Sequence, residues 1–286
     1  MAELLKGAPV AEMINEKLIQ AVKELHARNT YPTLAVLRVG ERPDDIAYER
    51  GAVKRCEKIG VRVKLISLPA DCTERDLIDT LENLNRDISV HGVLLFRPLP
   101  KGIDDTTVRN TLSPEKDVDG ITDLSLAGVF TGNSTGFPPC TAQACMEIID
   151  YYRIPCEGKR AAVVGRSLVV GKPAAMMMTA RNSTVTICHT RTMDMPNRCR
   201  EAEILIVSAG RPKVIDKNYL SPGQAVIDVG INQLEDGTLC GDVDFEAAKE
   251  IVAAITPVPG GVGTVTTSVL AKHVVEAALK YAEAKN

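Results

Sequence analysis

Short apolar runs alternate with stretches of helical periodicity along most of the chain, and nearly every run stops at a glycine or a polar turn. TLAVLRVG (residues 33–40) is rich in β-branched and apolar positions, which predicts a buried strand ending at Gly40. Residues 44–59 have helical character, and VRVKLISLP from Val61 reads as a second strand. Thr73 followed by Asp76 three positions later is a capping box, so a helix should start there. HGVLLFRPLP then supplies a third strand, and its continuous apolar run suits a parallel sheet covered on both faces. The first half therefore predicts a βαβαβ unit.

The second half repeats the alternation with more punctuation. TAQACMEIIDYY (residues 141–152) predicts a helix and KRAAVVG a buried strand running into Arg166 and Ser167. GKPAAMMMTA opens a helix with Pro173 in its first turn, where a missing N–H costs nothing. STVTICH, EILIVSAG and QAVIDVG predict three more strands, with the sheet ending near Ile255. A long helix from about Thr266 should return to the first domain. The fold expected is two α/β domains, the C-terminal one a Rossmann-type parallel sheet, with a ligand cleft between them. Residues 1–140 plus 265–286 form the first domain and residues 141–264 the second. Ligands of such sheets bind beyond the carboxyl ends of the strands, which puts Gly40, Pro69 and residues 96–100 on one rim.

Composition narrows the class. The 286 residues carry a formal net charge of −3 with both signs interspersed, so no footprint for nucleic acid is expected. No apolar run approaches the roughly 18 residues of a membrane span, and the N-terminus reads as a short strand plus helix, not a signal peptide. The eight cysteines include no Cys-x-x-Cys pair and the four histidines have no ligand spacing. Reduced thiols, a cytoplasmic location and no metal are expected.

The turn at residues 165–171 carries the first chemistry. It follows a buried strand and opens a helix, the setting in which backbone N–H groups cradle phosphates. Its glycines are six apart, so it departs from G-x-G-x-x-G, and a plain strand–helix turn without a ligand is the alternative. About 20 residues further on, an NAD site would place an Asp or Glu against the ribose hydroxyls. This chain has His189, Thr190, Arg191 and Thr192 there. Arg166 and Arg191 with the Thr190 hydroxyl suit a ribose phosphate, which favours NADP, with NAD the alternative.

The ordered segments PLP, KDVDG, GRSxxVGxP, TVTxCH, DVGIN, GDVDF and TPVPGGVG resemble the bifunctional methylenetetrahydrofolate dehydrogenase/cyclohydrolase family, called FolD in bacteria, from about Gly40 to Thr266. The resemblance implies a homodimer of two-domain subunits that holds a tetrahydrofolate derivative in the cleft. It implies hydride transfer from the folate's methylene carbon to a nicotinamide cofactor, then hydrolysis of the methenyl product. Gly165, Arg166 and Ser167 match the phosphate-binding triplet, with Thr190 and Arg191 beside it, and Ile231 matches the residue at the nicotinamide end. Tyr48 matches the tyrosine that stacks on folate and Asp119 the aspartate that holds the pterin; these two are the expected catalytic and substrate-binding residues. Pro259, Gly260, Gly261, Val262 and Gly263 match the loop that closes over the substrate.

Two positions depart from the family. Its lysine, one helical turn beyond the tyrosine, is Ala52, and its glutamine before PLP is Phe96. Both concern proton and water handling in hydrolysis. Arg55 lies on nearly the same helix face but about 10 Å along it, and a guanidinium is too basic to shuttle a proton. Thr264 replaces a proline after PGGVG, and Ala142 and Ala144 replace a proline and a glycine. The function expected is an NADP-linked methylenetetrahydrofolate dehydrogenase with cyclohydrolase activity lost or weak. The alternatives are a fully bifunctional enzyme, a non-catalytic folate- or nucleotide-binding relative, and a shikimate- or amino-acid-type dehydrogenase, which KDVDG disfavours.

Overall fold

A computed structural model describes residues 1–284. The chain forms two compact units, one of Met1–Glu12 with Thr141–Thr266 and one of Met13–Cys140 with the residues from Thr267 onward. The N-terminal residues, expected in the first domain, carry strand β1 (Glu3–Leu4) and cluster with the second half of the chain.

The unit built on Met13–Cys140 holds β2 (Thr33–Val39), β3 (Arg62–Leu68) and β4 (Gly92–Leu95), parallel in the order β3-β2-β4. Helix Pro43–Ile59 starts on Pro43, carries Asp44 and Asp45 in its first turn, and stops at Gly60 with φ 91°. Helix Glu74–Arg86 has the full capping box, Thr73 and Asp76 each accepting from the other's backbone N–H. Ala35, Leu37, Leu77, Leu81, Val93 and Leu95 fill one core layer. The terminal helix Thr266–Ala284 lies close to β4, where a Cβ on Gly92 would come within 3.0 Å of both Val118 and Val274.

The other unit holds β5 (Arg160–Val164), β6 (Thr184–Cys188), β7 (Ile204–Val207), β8 (Ala225–Asp228), the hairpin β9 (Asn232–Gln233) and β10 (Leu239–Cys240), and β11 (Ala254–Ile255). Its main sheet runs β1-β11-β8-β7-β5-β6, all parallel. The sheet therefore continues past Ile255 to β1, with Glu3 opposite Ala254 and Leu4 opposite Ile255. A two-residue strand has no periodicity from which that pairing could be read. From β5 the chain steps to β6 on one side and then crosses to β7 on the other, so the strand order reverses at the ends of β5 and β7. Among the described residues no helix is long and apolar enough to cross a membrane.

Candidate functional site

At the reversal point, Val164 stands level with Cys188 on one side and Val207 on the other, so Gly165, His189 and Ser208 emerge together. Gly165 has φ 124°, and an added Cβ would lie 2.4 Å from the Ser208 carbonyl. A Cβ on Gly171 would lie 2.2 Å from the Gly165 carbonyl, so the helix Gly171–Thr179 begins against the strand end. Both glycines of the six-residue spacing are thus required by contact. Between them, the Ser167 hydroxyl accepts from Val170 N–H (3.1 Å) and the Ser167 carbonyl from Lys172 N–H (3.0 Å). The result is a tight turn capping a helix N-terminus, whose unpaired N–H groups and dipole favour an anion.

The turn after β6 is equally tight. His189 N–H donates to the Thr192 hydroxyl (2.9 Å), Thr192 N–H to the His189 carbonyl (2.7 Å), and Arg191 N–H to His189 Nδ1 (3.1 Å). Thr190 and Arg191 are exposed at its tip. Neighbouring strands are about 4.8 Å apart, so this turn sits beside exposed Arg166 and Ser167. Gly165–Ser167 and the Thr190–Arg191 tip thus follow adjacent strand ends, and residues 189–192 include no carboxylate.

Ile231 is 63% exposed and borders a pocket of about 160 Å³ that Pro259, Gly260, Gly261, Val262 and Gly263 also line. A Cβ on Gly263 would come within 3.0 Å of the Ile231 side chain. Two buried carboxylates not singled out in the sequence hold this region. Asp228 accepts from the N–H groups of Gly230 (3.0 Å), Asp242 (3.1 Å) and Val243 (2.9 Å). Asp242 accepts from Ala209 (2.6 Å), Gly210 (2.8 Å) and Arg211 (3.0 Å) N–H and from the Asn232 amide (2.9 Å). Burial, with Asp242 nearby and despite those N–H donors, raises the Asp228 carboxyl to about 7. The pair ties the loops after β7 and β8 together. The only hint in the sequence was an Asp beginning each of DVGIN and the DV of GDVDF.

Tyr48, Ala52, Phe96 and Asp119 all lie in the unit built on Met13–Cys140. The Tyr48 ring meets Phe96 edge to face, and Ala52, one turn on, is fully buried. Arg55 Nε reaches the Thr267 hydroxyl at 3.4 Å, and Arg97 pairs with Asp105, its Nε 2.6 Å from the carboxylate. No ionisable group occupies the Ala52 position.

Asp119 sits in a turn that Asp117 builds: the buried Asp117 carboxylate accepts from Ile121 (3.0 Å) and Thr122 (2.8 Å) N–H. Gly120 has φ 69°, and a Cβ there would lie 2.4 Å from Pro139 N. Asp117 thus shapes the turn through those two bonds. Burial first, and then the Asp117 charge, push the Asp119 carboxyl up to about 7 against a hydrogen bond from Cys140 and the charge of Arg97. Cys140 and His273, which line the back of this turn, carried no signal in the sequence beyond their apolar helical settings.

An all-parallel sheet whose reversal point carries such a turn defines a dinucleotide-binding α/β protein. The family model for the tetrahydrofolate dehydrogenase/cyclohydrolase catalytic domain matches residues 5–119, and that for its NAD(P)-binding domain matches residues 139–282. The relative named Bifunctional protein FolD from Carboxydothermus hydrogenoformans is 50% identical over 279 residues, 97% of each chain. The crystal structure of the bifunctional FolD methylenetetrahydrofolate dehydrogenase/cyclohydrolase of Campylobacter jejuni superposes with TM-score 0.95 at 35% identity, covering 98% of this chain and 99% of that one. The Trypanosoma brucei enzyme, described as complexed with NADP and an inhibitor, gives 0.91 at 32% identity over 98% of both. The chain belongs to the tetrahydrofolate dehydrogenase/cyclohydrolase family of NAD(P)-dependent enzymes. That membership sets aside the shikimate- or amino-acid-type dehydrogenase.

Proposed function

We propose that the chain oxidises methylenetetrahydrofolate with NADP to give methenyltetrahydrofolate and NADPH. The observation that carries the cofactor half is the juxtaposition of Arg166 with Thr190 and Arg191 beside the Gly165 turn, with no carboxylate between. The NADP in the Trypanosoma brucei relative supports it. When bound, the cofactor supplies the hydride acceptor, and the transfer leaves a methenyl cation without any proton passing through a side chain. The chain's part is to bind, orient and exclude water. Arg166 and Arg191 would hold the ribose phosphate, Ser167 and the turn N–H groups the pyrophosphate, and Ile231 the nicotinamide end. Tyr48 would stack on the folate, Asp119 hold the pterin edge, and Pro259–Gly263 cover the substrate.

For the hydrolytic step, the relatives at 45–50% identity are named bifunctional, and their names favour the fully bifunctional reading. One observation favours a second reading, dehydrogenase without hydrolysis: Ala52 and Phe96 offer no group to manage a proton or hold a water beside Tyr48. Following methenyltetrahydrofolate decay next to NADPH formation decides. Enzyme-dependent decay keeping pace with hydride transfer supports the first reading, and decay at the buffer rate the second.

A homodimer completes the proposal. It is supported by the open outer edge of β3, where Leu65 is 56% exposed. Light scattering on a sizing column tests it.

A further inference from the structure

The terminal helix carries a histidine, His273, that reaches the turn carrying Asp119. His273 Nδ1 lies 2.8 Å from the Val118 carbonyl, and Cys140 Sγ lies 3.2 Å from the same oxygen. Nδ1 and Sγ are 3.7 Å apart, and Val118, Cys140 and His273 are all buried. A carbonyl oxygen only accepts, so Nδ1 carries the proton and the tautomer is fixed. The imidazole stacks on Phe137 (5.0 Å, 29°), and Lys280 Nζ lies 4.9 Å from the centroid of that phenyl ring. The ring orientation is therefore set by packing, and Nδ1 is aimed at one atom.

That atom belongs to the peptide from which Asp119 projects. A peptide unit is planar, so fixing its oxygen fixes ψ of Val118 and φ of Asp119 together. On one side Asp117 anchors the turn through Ile121 and Thr122, and on the other Gly120 abuts Pro139. The Val118–Asp119 peptide is the remaining link, and His273 holds its oxygen from the far end of the chain, with Cys140 Sγ beside it.

We propose that His273 is a positioning residue for folate, acting through the Val118 carbonyl to aim the Asp119 carboxyl. The proposal rests on the reading of Asp119 as the pterin-holding group.

The test is steady-state kinetics on five variants of the whole chain. His273→Phe keeps a ring on Phe137 and removes the donor. Asparagine's amide nitrogen falls where Nδ1 stands and glutamine's falls where Nε2 stands, so His273→Asn should restore the contact and His273→Gln should not. We expect His273→Phe and His273→Gln to raise the KM for methylenetetrahydrofolate by about three- to tenfold, the usual worth of one hydrogen bond, with the KM for NADP within twofold. His273→Asn should stay within twofold of the parent on both. In an Asp119→Asn background, His273→Phe should add nothing, because a group acting through another has no effect once that other is gone. Equal changes in both KM values, a Gln variant as good as the Asn one, or full additivity with Asp119→Asn would each overturn the proposal. If His273→Phe does not fold, the Asn and Gln pair alone decides. An Asp119→Asn variant with native folate KM would instead overturn the reading of Asp119 itself, a separate result from a silent His273→Phe.

Discussion

Tyr48 and Phe96 meet edge to face, with ring centroids 5.9 Å apart and planes at 83°. The phenyl ring stands at the position where the family resemblance leads one to expect a glutamine, and Ala52 has no accessible surface. A lysine introduced at Ala52 alone would be buried against an aromatic ring, at the cost of a desolvated ammonium. Phe96→Gln alone would open space without providing a proton carrier. Ala52→Lys with Phe96→Gln should therefore raise enzyme-dependent hydrolysis of methenyltetrahydrofolate by about tenfold or more, part of the roughly 10²–10⁴-fold that a well-placed general acid–base contributes, while each single change does little. Absorbance of the methenyl compound in matched buffer measures it. A parent already hydrolysing as fast as it transfers hydride would remove the second reading.

Asp119 and Asp117 should separate cleanly. Asp119→Ala is expected to weaken folate binding tenfold or more, since a charge-assisted hydrogen bond is worth about 1.5–3 kcal/mol, and to leave NADP binding within about twofold. Asp117→Ala should lower the melting temperature, because it strands the Ile121 and Thr122 N–H groups in a buried turn. Calorimetric titration with each ligand, beside a thermal melt, distinguishes the two. Equal loss of both ligands in Asp119→Ala would return that residue to a structural role.

Cofactor choice should reside in Arg166 and Arg191. The parent is expected to prefer NADP, and Arg166→Ala to cut kcat/KM for NADP by about tenfold or more while sparing NAD. Arg191→Ala should act in the same direction. Initial rates with the two cofactors at matched folate give the ratio, and a parent that prefers NAD would overturn the assignment.

Asp119 also makes a pH prediction. Its carboxyl, raised from an ordinary 3.8 to about 7, binds its proton more tightly in the folded than in the unfolded chain. Its contribution to stability is fully present below about pH 4 and is lost as pH rises toward 7. Buried Asp228 acts with the same sign over the same window. His91, whose pKa burial lowers to about 4, opposes them below about 6.5. The bare curve therefore mixes signs, and the comparison with Asp119→Asn is the informative one. That variant should lose less stability than the parent between pH 5 and pH 8, read from melting temperatures. A difference independent of pH would count against the raised carboxyl.

What could be read beforehand was local or periodic. The capping box at Thr73 and Asp76, the apolar runs of β2 and β5, and the glycine stop at Gly40 each need only neighbouring residues. Arg166 and Thr190 were legible as partners because parallel strands β5 and β6 end in register, so a fixed count along the chain becomes a fixed place in space. The contacts made by His273 escaped because they span 133 residues to Cys140 and 155 to Val118, and a buried histidine leaves no periodic trace. Asp228 and Asp242 escaped for a similar reason: acidic residues read as solvated until a cluster of N–H groups is seen around them. The edge pairing of β1 had too few residues to announce itself.

That edge pairing bears on how the chain is made. Glu3 is synthesised some 250 residues ahead of its partner Ala254. Until then the N-terminal segment has no sheet to join, and the last strand to emerge must capture the first. A bulky extension placed directly before Glu3 would thus burden the final step of assembly, whereas the same extension on the terminal helix would leave it untouched.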